Sequence, residues 1–151
     1  MSKPYELQIG EFLFSTDKTK INLKLIHDYL SNQSYWAQNI PLDVVKRSIE
    51  GSVCFGIYTN NQQIGFARVV SDLATFAYLA DVFINEEYRG KGLSKQLMHF
   101  IHAHPNLQGL RRWLLGTRDA HGLYEQFGWT RFTEEIYPRF MQLHDPNVYG
   151  G

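Results

Sequence analysis

The sequence predicts an α/β fold. It is a central mixed, mostly antiparallel sheet of six to seven strands flanked by about four helices, in the order β-α-α-β-β-β-α-β-α-β-β. Three observations carry this. Three strand-like runs follow one another between Ser52 and Asn85. A glycine-rich turn leads directly from the last of them into a helical pattern. Beyond that helix, short apolar runs alternate with helical ones.

Tyr5 to Phe14 reads as a strand with Tyr5, Leu7 and Ile9 on one face. Thr19 to Ser31 reads as a helix: Ile21, Leu23, Leu25, Ile26 and Leu30 give it an apolar side, and Thr19 is its N-cap. A loop from Asn32 to Ile40 carries Tyr35 and Trp36. Pro41 starts a second helix through Val44, Val45 and Ile49, stopped by Gly51. Ser52 to Tyr58 and Gln63 to Val70 are strands, joined by the hairpin turn Thr59-Asn60-Asn61-Gln62. Thr75 to Asn85 is a third strand, apolar enough for burial on both faces. A helix runs from about Gly92 to His102 and ends before Pro105. Arg111 to Gly116 is a strand, and Asp119 to Phe127 a helix with Gly128 at its C-cap. Thr130 to Phe132 and Phe140 to Leu143 are short strand candidates, and the tail from Asp145 is expected to be loose.

There is no internal repeat, low-complexity tract or linker, so residues 1–151 form a single domain. Hydrophobic residues make up 44% of the chain and aromatics 15%, which favours a packed globule over disorder. The 15 basic and 15 acidic side chains cancel, against nucleic acid or an anionic membrane as main partner. No apolar run approaches the roughly 18 residues of a membrane span. The opening Met-Ser-Lys-Pro-Tyr-Glu lacks the apolar core of a secretory signal. A single cysteine, Cys54, excludes an internal disulfide and fits a reducing, cytoplasmic setting. It lies in an apolar run and reads as a small core residue.

The most informative stretch is Phe83 to Ser94. Gly90 and Gly92 separate Arg89 and Lys91 at the point where a strand gives way to a helix. The first turn of a helix has N–H groups without internal partners and a dipole that favours anions. Glycine lets a ligand approach that backbone. An ordinary tight turn with solvated cations is the alternative. The Walker loop does not fit, because Gly92 is followed by Leu93-Ser94. The dinucleotide fingerprint fails too, since its third glycine would fall at Lys95.

Two stretches resemble the GNAT superfamily of N-acetyltransferases. Asp81-Val82-Phe83-Ile84-Asn85-Glu86-Glu87-Tyr88-Arg89-Gly90-Lys91-Gly92-Leu93 is similar to that family's acetyl-CoA pyrophosphate loop. Ala120-His121-Gly122-Leu123-Tyr124-Glu125-Gln126-Phe127-Gly128-Trp129 is similar to its alanine, tyrosine, glycine-aromatic segment. One helix and one strand separate them. Glu87 stands where the family has Gln or Arg, and Thr117 where it often has Asn. The resemblance implies acetyl-CoA as cosubstrate; the residues themselves give no reason to expect a metal. It implies pyrophosphate on the N–H groups of Arg89, Gly90, Lys91, Gly92, Leu93 and Ser94. The pantetheine arm would lie along Val82, Phe83 and Ile84 to Asn85 as an added strand, with Thr117, Ala120 and Tyr124 completing the cofactor site. This binding mode requires the sheet to splay after the third meander strand.

Acetyl transfer to an amine needs a neutral amine, N–H donors aimed at the carbonyl oxygen and a proton for the leaving thiolate. Tyr124 resembles the family's acid; the other reading is a tyrosine packed beside Leu123 and Phe127. The oxyanion donor would be a backbone N–H near Phe83 or Ile84. Asp81 is the first candidate base, because a carboxylate in an apolar strand is costly unless paired or used; it reads equally as a hydrogen-bonded structural aspartate or as a binder of a cationic substrate. His121 is a weaker candidate, and loss of the proton through water needs no base. Tyr35, Trp36 and Phe76, with Asp81 and the neighbouring Arg68 and Asp72, are the candidate acceptor-binding residues; Trp36 reads equally as a lid on the core. His99, His102 and His104 suggest a metal, but no further ligands join them, and partly charged histidines suit a helix C-terminus anyway.

The expected activity is therefore N-acetylation of a small-molecule or protein primary amine. A catalytically silent CoA-binding regulatory module is the alternative, and transfer of a longer acyl group a third reading. The C-terminal strand candidates suggest a homodimer.

Overall fold

A computed structural model describes residues 3–150. Met1, Ser2 and Gly151, which open the N-terminal stretch and close the tail read above, lie outside the described residues.

Among the described residues the sheet has six strands, in the chain order β1-β2-β3-β4-β5-β6. They are β1 (Glu6–Ile9), β2 (Phe12–Ser15), β3 (Val53–Thr59), β4 (Gln62–Ser71), β5 (Phe76–Ile84) and β6 (Arg112–Leu115). Neighbours are antiparallel up to β5, and β5 pairs with β6 in parallel. The helices are α1 (Leu23–Asn32), α2 (Leu42–Glu50), α3 (Leu93–His102) and α4 (His121–Glu125). The α/β class and the order from Ser52 onward follow the sequence reading through α4.

The expected strand from Tyr5 to Phe14 is instead a hairpin. Gly10 takes φ +57° and reverses the chain between β1 and β2. The expected helix from Thr19 starts later. Asp17 caps a short 3₁₀ turn at Lys18–Lys20, and the Asn22 side chain then caps α1 by accepting from the Leu25 N–H at 3.1 Å. The Asn60-Asn61 turn forms as read, with both residues at positive φ. β5 is not buried on both faces: Ala77 and Leu79 are buried, whereas Phe76 and Tyr78 are exposed. α4 has only five residues against the expected nine.

The candidate strands at 130–132 and 140–143 do not pair with the sheet. Side-chain contacts hold this region instead: Phe132 stacks on Phe140 at 4.6 Å, and the Arg112 guanidinium lies 4.8 Å from the Phe140 ring centre. Pro138 also removes a ladder donor between them. The tail turns at Asp145, and Tyr149 packs against the α1–α2 side rather than hanging free.

Two apolar layers sandwich the sheet. α3 supplies Leu93, Leu97, Met98, Phe100 and Ile101 to one, against Phe14, Phe55, Ile57, Val69 and Leu79. α1 and α2 supply Ile26, Leu30, Val45 and Ile49 to the other, against Cys54, Phe66 and Phe83. Among the described residues, no helix is long and apolar enough to cross a membrane.

Candidate active site

The site begins at an irregularity in β5. Phe66 pairs with Phe83 and Arg68 with Ala80, so Ala67 faces two residues, Asp81 and Val82. This is a β-bulge, and Asp81 sits at φ +56° to make it. The bulge bends β5 away from β6. Their pairing ends at Leu79–Leu115, while β4 follows β5 on to Ile84. From Ala80 to Ile84 the β6-side edge of β5 is therefore open. This is the splay that an extended, amide-rich ligand requires in order to add itself as a strand.

Asn85, a 3₁₀ turn at Glu86–Tyr88 and the glycine loop follow. Gly90 and Gly92 take φ +78° and +75°, and Gly92 is the N-cap of α3. Gln96 is the first helical residue whose N–H closes back on the chain, to Gly92 O at 3.2 Å. The N–H groups just before it form the first turn, free to meet an anion. A Cβ built at either glycine meets nothing within 4 Å. A cavity of about 230 Å³ lies here, lined by Ile84, Gly90, Gly92, Ser94, Lys95 and Leu123 among others. One correction concerns Arg89. Its N–H already donates to Glu86 O at 3.2 Å, capping the 3₁₀ turn, so the cradle starts at Gly90. Its guanidinium reaches back to Ile84 O (3.0 Å) and the Tyr29 hydroxyl (3.4 Å). Among the described residues, Lys91 and Lys95 beside the loop have no ion-pair partner. Phe83 stacks on Tyr29 at 4.0 Å, which fixes the start of this segment against α1. Val82 and Ile84 pack into the α3-side core.

α4 closes the other side of the gap. Thr117 Oγ1 accepts from the Ala120 N–H at 3.0 Å, so Thr117 serves as a local cap while keeping its own proton to donate. Tyr124 is buried at 8% exposure and lines a cavity of about 290 Å³ with Leu115, Gly116, Thr117, His121 and Trp129. Burial, with Tyr35 as a second cause, pushes its phenol up to about 12. It holds its proton throughout the neutral range.

Asp81 is fully engaged. Oδ2 is 2.9 Å from Arg68 Nε, and Oδ1 accepts from Trp36 Nε1 at 2.8 Å. Arg68 in turn donates to Ser52 Oγ at 3.1 Å. Of the three sequence readings, this geometry favours the hydrogen-bonded aspartate over the base or the binder of a cation, because either of those keeps an oxygen open toward the amine. Trp36 and Tyr35 meet edge to face at 5.0 Å. The Tyr35 hydroxyl accepts from the Arg118 N–H at 2.8 Å, and the Arg118 guanidinium lies 4.0 Å from the Tyr35 ring centre. Tyr35, Trp36 and Asp81 thus form one connected cluster beside Tyr124. Phe76 stands apart, further down the same exposed face of β5. Tyr29 and Arg118 join the site without a sequence motif of their own; the one signal for Arg118 is its place directly after Thr117.

The histidines have other roles. His102 Nε2 accepts from Trp129 Nε1 at 3.0 Å, and His104 Nδ1 from the Asn106 N–H at 3.0 Å. Burial lowers both pKa values, so they are neutral acceptors rather than charges at a helix end. Among the described residues, no cluster of three or more His, Cys, Asp or Glu could hold a metal. Cys54 is buried, and burial raises its thiol to about 11.

Residues 50–131 match the family model described as "Acetyltransferase (GNAT) domain". A Gibberella zeae protein named as an acetyltransferase is 30% identical over 146 residues, covering 82% of this chain and 81% of its own. The crystal structure of a GNAT-family acetyltransferase from Xanthomonas campestris pv. campestris is 46% identical, with a TM-score of 0.89, covering 95% of this chain and 100% of that one. A GNAT acetyltransferase from Elizabethkingia anophelis, solved with acetyl-CoA bound, shares the fold at a TM-score of 0.57 and 14% identity, over 79% of this chain and 76% of that one.

Proposed function

The chain belongs to the GNAT acetyltransferase family and is an acyltransferase, and on that premise we propose that it moves an acetyl group from acetyl-CoA to a primary amine by direct attack on the thioester. One observation carries the reading: the open edge of β5 from Ala80 to Ile84 runs straight into the N–H groups that start α3.

The edge would pair with the pantetheine amides, and the N–H groups from Gly90 to Lys95 would hold the pyrophosphate, with Lys91 and Lys95 adding charge. A backbone N–H near Phe83 or Ile84 would face the carbonyl oxygen as it gains charge. The ammonium loses one proton to water, the neutral nitrogen forms the new N–C bond, the C–S bond breaks and Tyr124 donates its proton toward the sulfur; the second proton, shed by the newly acylated nitrogen, passes through water back to the Tyr124 phenolate. A phenol at about 12 is a weaker acid than an ordinary thiol. The dry site that raises the phenol also raises the departing thiolate's affinity for a proton, which brings the pair closer to balance. Asp81, held by Arg68 and Trp36, orients the acceptor wall rather than taking the proton.

The test is thiol release from acetyl-CoA across an amine library, paired with calorimetric CoA binding. CoA binding with amine-dependent thiol release is expected. Binding without release for any amine would support the silent module instead, and no CoA binding would end the reading.

A further inference from the structure

From the apolar and positively biased acceptor face, we infer that the acceptor is an apolar primary monoamine with an aryl or branched alkyl body, not a polyamine or a lysine-rich segment. This rests on the N-acetyltransferase reading above.

Side chains alternate along a strand. Val69, Ala77 and Leu79 face the α3 side, so Val70, Phe76 and Tyr78 face the other. α1 and α2 cover that face over Cys54, Phe66 and Phe83. They leave the rest bare: Val70 is 41% exposed, Phe76 37% and Tyr78 40%. By register, Val70, Tyr78 and Leu114 stand side by side across three strands. This row leads to the reaction centre. A Cβ built at Gly116 would lie 3.6 Å from the Tyr78 hydroxyl. Two residues on, Arg118 is bonded to Tyr35, which meets Trp36.

The charges on this face do not suit a polycation. The Asp81 carboxylate is already paired with Arg68. Asp72, at the far end, accepts from Ala74 N, Thr75 N, Thr75 Oγ1 and Phe76 N within its own turn. Arg118 and Arg112 lie over aromatic rings, and neither has a carboxylate partner among the described residues. A second ammonium on this row would meet the Arg112 and Arg118 guanidinium groups, while the carboxylates of Asp81 and Asp72 are already engaged. An aryl or branched alkyl body gains by covering Tyr78 and Trp36.

The test is kcat/KM of the full chain for 2-phenylethylamine, tryptamine and isoamylamine against putrescine, spermidine and a lysine-containing peptide. We expect a preference for the first three of about tenfold or more. Equal or better turnover of spermidine or the peptide overturns the inference and leaves the transferase reading intact; release with no amine overturns both. Tyr78→Ala should raise the KM for 2-phenylethylamine about tenfold with CoA affinity unchanged. Val70→Asp places a carboxylate on the bare face and should shift the putrescine to 2-phenylethylamine ratio about tenfold toward the diamine. An unmoved KM in the first variant, or an unmoved ratio in the second, overturns the inference.

Discussion

The hydroxyl of Tyr35 accepts a hydrogen bond from the backbone N–H of Arg118, 83 positions further along the chain, at 2.8 Å. The bond ties the loop between α1 and α2 to the loop between β6 and α4. These loops flank the gap where β5 and β6 part, so an acceptor approaching Tyr124 passes the tether. The Arg118 guanidinium on the Tyr35 ring reinforces it from the other side.

Tyr35→Phe should therefore separate stability from acceptor binding. Tyr35 and Arg118 are both solvent-accessible, so water can replace the lost bond and the cost to folding should stay below about 1 kcal/mol. The KM for the amine should rise several-fold as the loop loses its anchor, with CoA affinity kept. A thermal melt and steady-state kinetics check both. An unchanged KM would show that the acceptor does not use the tether.

Tyr124→Phe should lower kcat by roughly 10²-fold and leave CoA affinity within about twofold. The ring stays and only the proton is lost. Burial, aided by Tyr35, holds the wild-type phenol at about 12. Tyr124 itself should then cause no fall in rate between neutral pH and about pH 10. Undiminished turnover of the variant across that range would remove the acid role.

Gly92→Ala tests the anion cradle. The residue needs φ +75°, which strains any L side chain by about 1 kcal/mol. A Cβ there would touch no protein atom, so the stability loss should stop at that strain. CoA affinity should fall further, by tenfold or more, because the methyl group enters the space a phosphate would fill. Calorimetry against CoA and a denaturant melt separate the two. Affinity that falls no more than stability would place the pyrophosphate elsewhere.

Glycines and asparagines made the central part of the fold legible. Asn60-Asn61 marks the β3–β4 hairpin, and Gly90 and Gly92 mark the strand-to-helix turn, because few other residues tolerate those angles. Gly10 carries the same signal, but the alternation from Tyr5 through Phe14 masks it. The C-terminal strand candidates had suitable composition, yet Phe132, Phe140 and Arg112 satisfy one another locally without a ladder. In the site, the residues of the loop and of α4 were legible by type and spacing. The state of Asp81 was not. Its partners Arg68 and Trp36 lie 13 and 45 positions away, and only folding brings them together.

That pair makes Asp81→Asn informative. Asparagine tolerates positive φ, so the bulge should persist. Arg68 would lose its counterion in a half-buried place, at a cost of about 2 kcal/mol. If Asp81 orients the acceptor wall, KM should rise and kcat should fall less than tenfold. If it is the base, kcat should fall by 10² or more and recover as pH rises and the amine deprotonates unaided. Steady-state kinetics from pH 6.5 to 9.5 distinguish the two.

Acid should unfold this protein earlier than its carboxylates alone would require. His104 is buried, accepts from the Asn106 N–H through Nδ1 and meets the rings of Tyr5 and Phe55 edge-on at 5.3 and 5.8 Å. His102 accepts from Trp129 in the same way. Protonation would point a second N–H at each donor, and burial lowers both folded pKa values below the ordinary 6.5. The unfolded chain therefore binds these protons first. The stability is complete above about pH 6.5 and is lost as pH falls from there through the folded values. The melting temperature should drop between pH 7 and pH 5. His104→Asn keeps an acceptor for Asn106 but cannot titrate. It should melt lower at pH 7.5, for want of the ring, and lose less on acidification. A slope equal to that of the parent chain would rule out His104 as a source of the acid sensitivity.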